Sequence, residues 1–297
     1  MDLGVGKVET TRCRRAVSRR AICAQLVVLC LLVGLLYYRI LGDLVSNWYH
    51  DPNFSHGFLI PLFSGFVFWQ RRRQTAALPA KPAGFGLVVI AMALAELIVG
   101  VLGAELFLSR SSFILLLAGF LIYFLGWNHF RGLLFPWACL FLAIPIPAII
   151  FNQITFPLQL LASKLGASIL PFLGVPVLRE GNILQLPALS LEVAEACSGI
   201  RSLLSLGTLA IVYGYFFEPS VRRRLALVAA AIPIAVAANA LRIVTTALLV
   251  QYWDPYMAES LVHFSEGLTL FLLSFGLIVS LHGFMGAIGR SPQRRQH

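Results

Sequence analysis

Eight stretches of the chain are apolar over lengths suited to crossing a bilayer, and this limits the fold before any motif is considered. A hydrocarbon core of about 30 Å needs about 20 helical residues. The stretches are 21–41, 57–70, 85–103, 111–127, 133–151, 200–217, 225–250 and 267–288, the second of them short. Lipid offers no partner for backbone N–H and C=O groups, so such stretches must satisfy them internally as helices. The expected fold is an all-α integral membrane protein of about eight transmembrane helices. Composition agrees: 59% of residues are AVILMFWYC and 12% are charged, against about 25% charged in a soluble domain. That balance excludes a disordered chain, a disulfide scaffold and a cytosolic nucleotide enzyme.

The first stretch follows Arg12, Arg14, Arg15, Arg19 and Arg20 and lacks a small-x-small cleavage site, so it reads as a retained span rather than a removed signal. Pro61 lies in the second stretch. Pro136, Pro145 and Pro147 lie in the fifth, which is expected to kink or to end near Ile144. With no internal repeat, the organisation is a basic cytoplasmic tail (1–20), one multipass membrane domain (21–288) and a short cytoplasmic C-terminal tail (289–297).

The net charge of +10 would suggest nucleic acid in a soluble protein. Here the basic residues instead set orientation, and no nucleic-acid partner is expected. If the N-terminus is inside, 17 of the 23 Lys and Arg fall in inner segments. The six that do not are Arg39, Arg110, Lys164, Arg179, Arg201 and Arg242. The bias of basic residues toward the cytoplasm therefore puts both termini inside. The segment 150–199 then lies outside. Within it, 156–170 has the spacing of a helix lying in the interface. Leu178 to Val193 alternates as short strands around a turn at Gly181-Asn182, a small β-hairpin.

Chemistry-bearing residues gather at this outer level. Cys197, in Glu195-Ala-Cys-Ser-Gly-Ile-Arg201, stands at or just before the start of the sixth span. Helix N–H groups and a nearby Arg lower a thiol pKa toward the nucleophilic thiolate, and Arg201 shares its face if the helix has begun at Cys197. The alternative is a small packing residue, the reading preferred for Cys13, Cys23, Cys30 and Cys139. Neither CxxC nor a zinc spacing occurs, so no metal and no cofactor is expected.

Arg242 lies 17 residues into the seventh span, a rise of roughly 26 Å, which brings it to the level of Cys197 with Asn239 one turn below. A buried Arg faces a bundle or cavity; the alternative is snorkelling to head groups. His263 sits at the outer mouth of the eighth span, where its ordinary pKa near 6.5 suits a proton-transfer base; the alternative is a polar anchor. Three spans thus deliver a thiol, a guanidinium and an imidazole to one depth, a sufficient set for acyl transfer through a thioester. His56, outside after the first span, is a second candidate histidine or a loop cap. Glu195 orients His263, binds a substrate group or caps the helix. Two other classes remain open. A transporter or flippase would hold an anionic solute at Arg242 and Asn239, and a thiol oxidoreductase would need a second outer cysteine.

The blocks 195–201, Asn239-Ala-Leu-Arg-Ile243 and His263-Phe with Gly267 resemble the exosortase/archaeosortase family of membrane cysteine proteases or transpeptidases. Phe54-Ser-His-Gly-Phe-Leu-Ile-Pro61 and Arg179-Glu-Gly181 resemble further blocks of it, over about residues 45 to 285. Histidine at the third position is similar to the bacterial branch. The resemblance implies Cys197 as nucleophile, Arg242 as oxyanion or thiolate partner and His263 as proton carrier. It also implies a setting at the outer face of a bacterial inner membrane. The implied partners are exported proteins ending in a sorting signal: a Pro-Glu-Pro motif, one hydrophobic helix and a basic tail.

Overall fold

The computed structural model describes residues 5–193, 199–252 and 261–288, with side chains over 24–193, 199–252 and 267–287. Among these residues the helices are α1 (Val5–His50), α2 (Leu59–Ala76), α3 (Phe85–Leu102), α4 (Leu106–Phe124), α5 (Trp127–Cys139), α6 (Ala148–Ile169), α7 (Ile200–Phe217), α8 (Val221–Tyr252) and α9 (Leu261–Ile288). Short strands β1 (Leu178–Glu180), β2 (Ile183–Gln185) and β3 (Ser190–Glu192) separate α6 from α7.

Seven of the described helices are long and apolar enough to cross a membrane. Six of them match expected stretches. The short second stretch forms α2, which carries Arg71, Arg72 and Arg73 in its last turns and is not among the seven. The fifth stretch does not form one helix. Pro145 and Pro147 follow a 3₁₀ turn at Leu140–Ala143 and break the backbone, so α5 ends at Cys139 and α6 starts at Ala148. The helix expected over 156–170 is thus the C-terminal part of α6. Length and hydropathy alone would let α6 cross a bilayer. Its contacts keep both of its ends at one end of the bundle: Phe151 packs on Phe54 just after α1, and Gly166 abuts Ile243 of α8.

The strands form one antiparallel sheet in the order β1-β2-β3, with Glu180 opposite Ile183 across the Gly181-Asn182 turn and Ile183 opposite Glu192. Gly181 has φ +65°, which the two-residue turn requires. Leu184, Leu186 and Val193 are buried with Ala162, Leu170, Ile243, Val244 and Ala247, so the sheet is seated on α6 and α8.

Lipid is as apolar as leucine, so the helices associate by close packing rather than by hydrophobic transfer. Alanines supply that closeness in α8, where Ala231, Ala235 and Ala247 are buried against their neighbours. Leu206 and Ala210 of α7 and Ile278 of α9 complete this three-helix contact. Large side chains on the perimeter, among them Leu35, Leu62 and Leu102, stay exposed as a lipid-facing surface would.

Polar anchoring marks the other end of this three-helix group. Glu218, buried after α7, accepts from the Ser220 amide at 2.9 Å and lies 3.3 Å from His282 Nε2 of α9. The His282 Nδ1 is 2.8 Å from the Tyr213 hydroxyl, and Arg223 Nη1 is 3.8 Å from Glu218. These contacts pin the α7–α8 connection to α9.

Candidate active site

Cys197 and Glu195 lie outside the described residues, as does the side chain of His263. The segments that flank them are described, and both ends of the 194–198 stretch are fixed. On one side Val193, 1% exposed, donates its amide to Asn182 O at 2.9 Å, and Asn182 Nδ2 reaches Val193 O at 3.4 Å. On the other side Gly199 caps α7 in the left-handed region, with φ +79°.

Gly199 sits directly on Asn239 of α8. A Cβ added at Gly199 would fall 2.8 Å from Asn239 Cγ and 2.9 Å from its Cβ. Both its φ and its surroundings therefore require glycine. Asn239 is itself buried, and one turn further along α8 stands the half-buried Arg242. Arg242 borders the same small space as Leu191, Glu192 and Val193 of the β3 region, together with Ile243 and Thr246. Its guanidinium lies against α9, since a Cβ added at Gly267 would be 3.7 Å from Arg242 Cζ and 3.8 Å from one terminal nitrogen. Gly267 is one helical turn beyond position 263 along α9. The start of α7, the Asn239–Arg242 turn of α8, the first turns of α9 and the edge of the sheet therefore converge.

Arg201 takes a different direction. α7 begins at Ile200, one residue before Arg201, and Cys197 lies outside the described residues. Leu203 borders a small space with Gly199, Ala235 and Asn239 on the α8 side. Arg201, two residues earlier, is about 200° away around the helix, and its Nε donates to Asn53 Oδ1 at 3.3 Å in the α1–α2 connection. Asn53 is held in turn by its amide on Asp51 Oδ1 at 2.8 Å.

His56 belongs to this second group. It lies in a 3₁₀ turn, Ser55–Phe58, and faces a cavity of about 210 Å³ with Leu142, Leu203, Leu204, Gly207 and Thr208. The turn is pressed against Trp48, whose Nε1 donates to Ala143 O at 2.7 Å. Burial lowers the His56 pKa from its ordinary value, only partly offset by the backbone of Leu142 and Asn53. The imidazole is therefore biased toward the neutral form at neutral pH.

The contacts given for the described candidates fall into two neighbouring groups at the start of α7, with Leu203 bordering the spaces of both. Asn239 and Arg242 meet Gly199 and Gly267; Arg201 meets Asn53 in the α1–α2 connection, which also carries His56. The sequence reading passed over Asn53 and the packing roles of Gly199 and Gly267. The glycines stand inside the quoted motifs, and that placement was the available signal. Cys30 faces outward and Cys139 is buried as a packing residue.

A family model described as transmembrane exosortase matches residues 48–280, most of the chain. The chain belongs to the transmembrane exosortase family. The match covers all the elements that converge at Arg242 and ends inside α9. No curated protein and no solved structure gives a significant match. Membership supports a role in processing sorting signals, in a multipass membrane protein of this topology.

Proposed function

We propose that this exosortase is a membrane cysteine peptidase or transpeptidase that cleaves the C-terminal sorting signal of exported proteins. The signal it takes carries a Pro-Glu-Pro motif, a hydrophobic helix and a basic tail. In this reading His263 removes the proton from the Cys197 thiol. The thiolate attacks the carbonyl carbon of the scissile peptide, and the oxyanion that forms is stabilised by the Arg242 guanidinium. Collapse breaks the C–N bond, His263 gives its proton to the departing amine, and an acyl thioester stays on Cys197. Water or an acceptor amine then takes the acyl group and returns the proton to the thiolate. Glu195 and Asn239 act as positioning groups, the latter through its contact with Gly199.

One observation carries the reading: the Arg242 guanidinium rests against Gly267, one turn from position 263, while Asn239 on the preceding turn supports Gly199. Two residues of chain extend at most about 7 Å, so position 197 cannot be remote from Gly199. The distribution of basic residues supports both termini in the cytoplasm, and the resemblance to the bacterial branch of the family supports an inner-membrane setting. The site then faces the periplasm, where a substrate whose basic tail stays inside would present its motif just outside the bilayer.

The test is Cys197→Ala in cells making an epitope-tagged substrate that ends in such a signal. Loss of C-terminal processing, with the variant still present in the membrane, is the expected outcome. Processing at the normal rate would overturn the mechanism. Mass spectrometry of the new C-terminus in the unmodified strain reads the cut site and whether water or an amine resolved the thioester.

A further inference from the structure

Away from the α7–α9 group, an ionisable cluster lies where α1 meets the α3–α4 hairpin. Arg110 is 3% exposed in the second turn of α4. An Arg in such a setting needs a counter-charge or a strongly polar environment. Its two terminal nitrogens are met by a neutral group, the Asn47 side-chain amide: in the orientation that satisfies both ends of that amide, its oxygen accepts from Arg110 at 3.2 and 2.9 Å and its nitrogen donates to Asp43 O at 3.2 Å. Arg110 Nε has no hydrogen-bond partner.

Two carboxylates lie near enough to act on Arg110 electrostatically, but neither forms an ion pair with it. The Glu105 carboxylate is engaged in capping α4, accepting from Phe107 N at 2.9 Å and Leu108 N at 3.4 Å. Asp43 is exposed, and its carboxylate has no hydrogen bond among the described residues.

Arg110 and Asp43 face one cavity of about 150 Å³, bounded also by Ile40, Gly100, Ala104 and Ser109. That is the volume of about five liquid waters, enough for a phosphate with a short amine arm. The cavity is at the same end of the bundle as Gly199, since Arg201 at the start of α7 reaches Asn53 just beyond α1. Arg110 is four residues inside the start of α4, a depth of about 6 Å, near the level of lipid phosphates. Val101 and Leu106, which also line it, are exposed apolar residues of the kind that lipid tails cover.

We propose that this cavity holds the headgroup of an aminophospholipid, its phosphate against Arg110 and its primary ammonium against Asp43. The phosphate supplies the full counter-charge that Asn47 does not. The ammonium explains a carboxylate at the rim that would otherwise repel an anion. The bound lipid bridges α1 to α4, which matters because Tyr37, Leu44 and Trp48 are the only buried residues among the described side chains of α1. The inference is independent of the chemistry assigned to Cys197.

The experiment uses the full chain, purified in detergent, stripped of lipid and titrated in native mass spectrometry. Phosphatidylethanolamine, phosphatidylcholine and phosphatidylglycerol are added separately, and thermal unfolding is followed with inorganic phosphate. Phosphatidylethanolamine should bind most tightly and raise the unfolding midpoint. Asp43→Asn should weaken it about fivefold, the scale of one partly exposed ion pair, while phosphatidylglycerol, freed of the carboxylate's repulsion, should bind no less tightly than before. Arg110→Gln should abolish the preference for any phospholipid. Should that variant fail to fold, Asp43→Asn still decides the matter, because Asp43 is exposed and its carboxylate has no hydrogen bond. Equal binding of all three lipids by the unsubstituted protein overturns the proposal. So does undiminished phosphatidylethanolamine affinity in Asp43→Asn, or a response to inorganic phosphate with none to lipid.

Discussion

An alanine at position 199 would place a methyl group where two constraints meet. The first is conformational: φ of +79° is in the left-handed region, which costs a non-glycine residue about 1–2 kcal/mol. The second is steric: the new Cβ would be 2.8 Å from Asn239 Cγ and 2.9 Å from Asn239 Cβ, against an optimum of about 3.5–4.0 Å between carbons. Asn239 is buried in a helix and cannot swing aside, so overpacking adds about 1–3 kcal/mol. Together these amount to about 2–5 kcal/mol, concentrated where the chain leaves 194–198 and enters α7. If the nucleophile stands in that segment, even the lower figure corresponds to roughly thirtyfold slower processing, at tenfold per about 1.4 kcal/mol. Gly267→Ala is the matched control. Its Cβ would be 3.7 Å from Arg242 Cζ, an ordinary contact, and alanine is favoured over glycine within a helix by about 1 kcal/mol. The assay is the processing rate of a tagged substrate, normalised to enzyme in the membrane, with the unfolding midpoint in detergent alongside. Gly199→Ala should fail in both and Gly267→Ala in neither. In Gly199→Ala/Asn239→Gly the unfolding midpoint should recover the steric part of the loss, while processing stays impaired because Asn239 is gone. Unaltered processing and midpoint in Gly199→Ala would refute the reasoning.

Arg242→Ala should slow processing by about a hundredfold or more, the usual worth of one oxyanion-stabilising group. Arg242→Lys should fall between the two because it keeps the charge and loses the planar fork; equal rates for all three would remove Arg242 from the chemistry. His56 gives a pH dependence. Its folded pKa is lowered by burial, so the unfolded chain binds the proton more readily, and stability is full above about 6.5 and falls as pH drops from there toward the folded value. In His56→Gln, unfolding midpoints measured between pH 7.5 and 5 should fall less steeply than in the parent. Glu218→Ala removes the buried acceptor shared by Ser220, His282 and Arg223. It should destabilise the protein by about 3 kcal/mol, as breaking a buried charged contact does, with Glu218→Gln milder; a midpoint shift under one degree in Glu218→Ala would show the contacts to be incidental.

The helices were legible because hydropathy over a span's length is read from the chain one segment at a time. The turn at Gly181-Asn182 was legible for a similar reason: two adjacent residues carry the whole signal, and the register of Glu180 with Ile183 follows from it. The break before α6 was announced by Pro145 and Pro147, although the way α6 stays at one end of the bundle was not, since Phe54 and Ile243 fix it from distant parts of the chain. Local reading failed in the same way for charge. Arg110 counted among the basic residues of the outer side; its burial depends on Asn47, in a different helix. Depth along a span can be counted from residue number, but direction around a helix depends on where that helix begins. From a helix that starts at Ile200, Arg201 reaches Asn53 of the α1–α2 connection, and Gly199 and Gly267 lie against Asn239 and Arg242. Gly199 joins the start of α7 directly to Asn239 of α8, one turn from Arg242, and for that reason position 199 is a sharp probe of the proposed site.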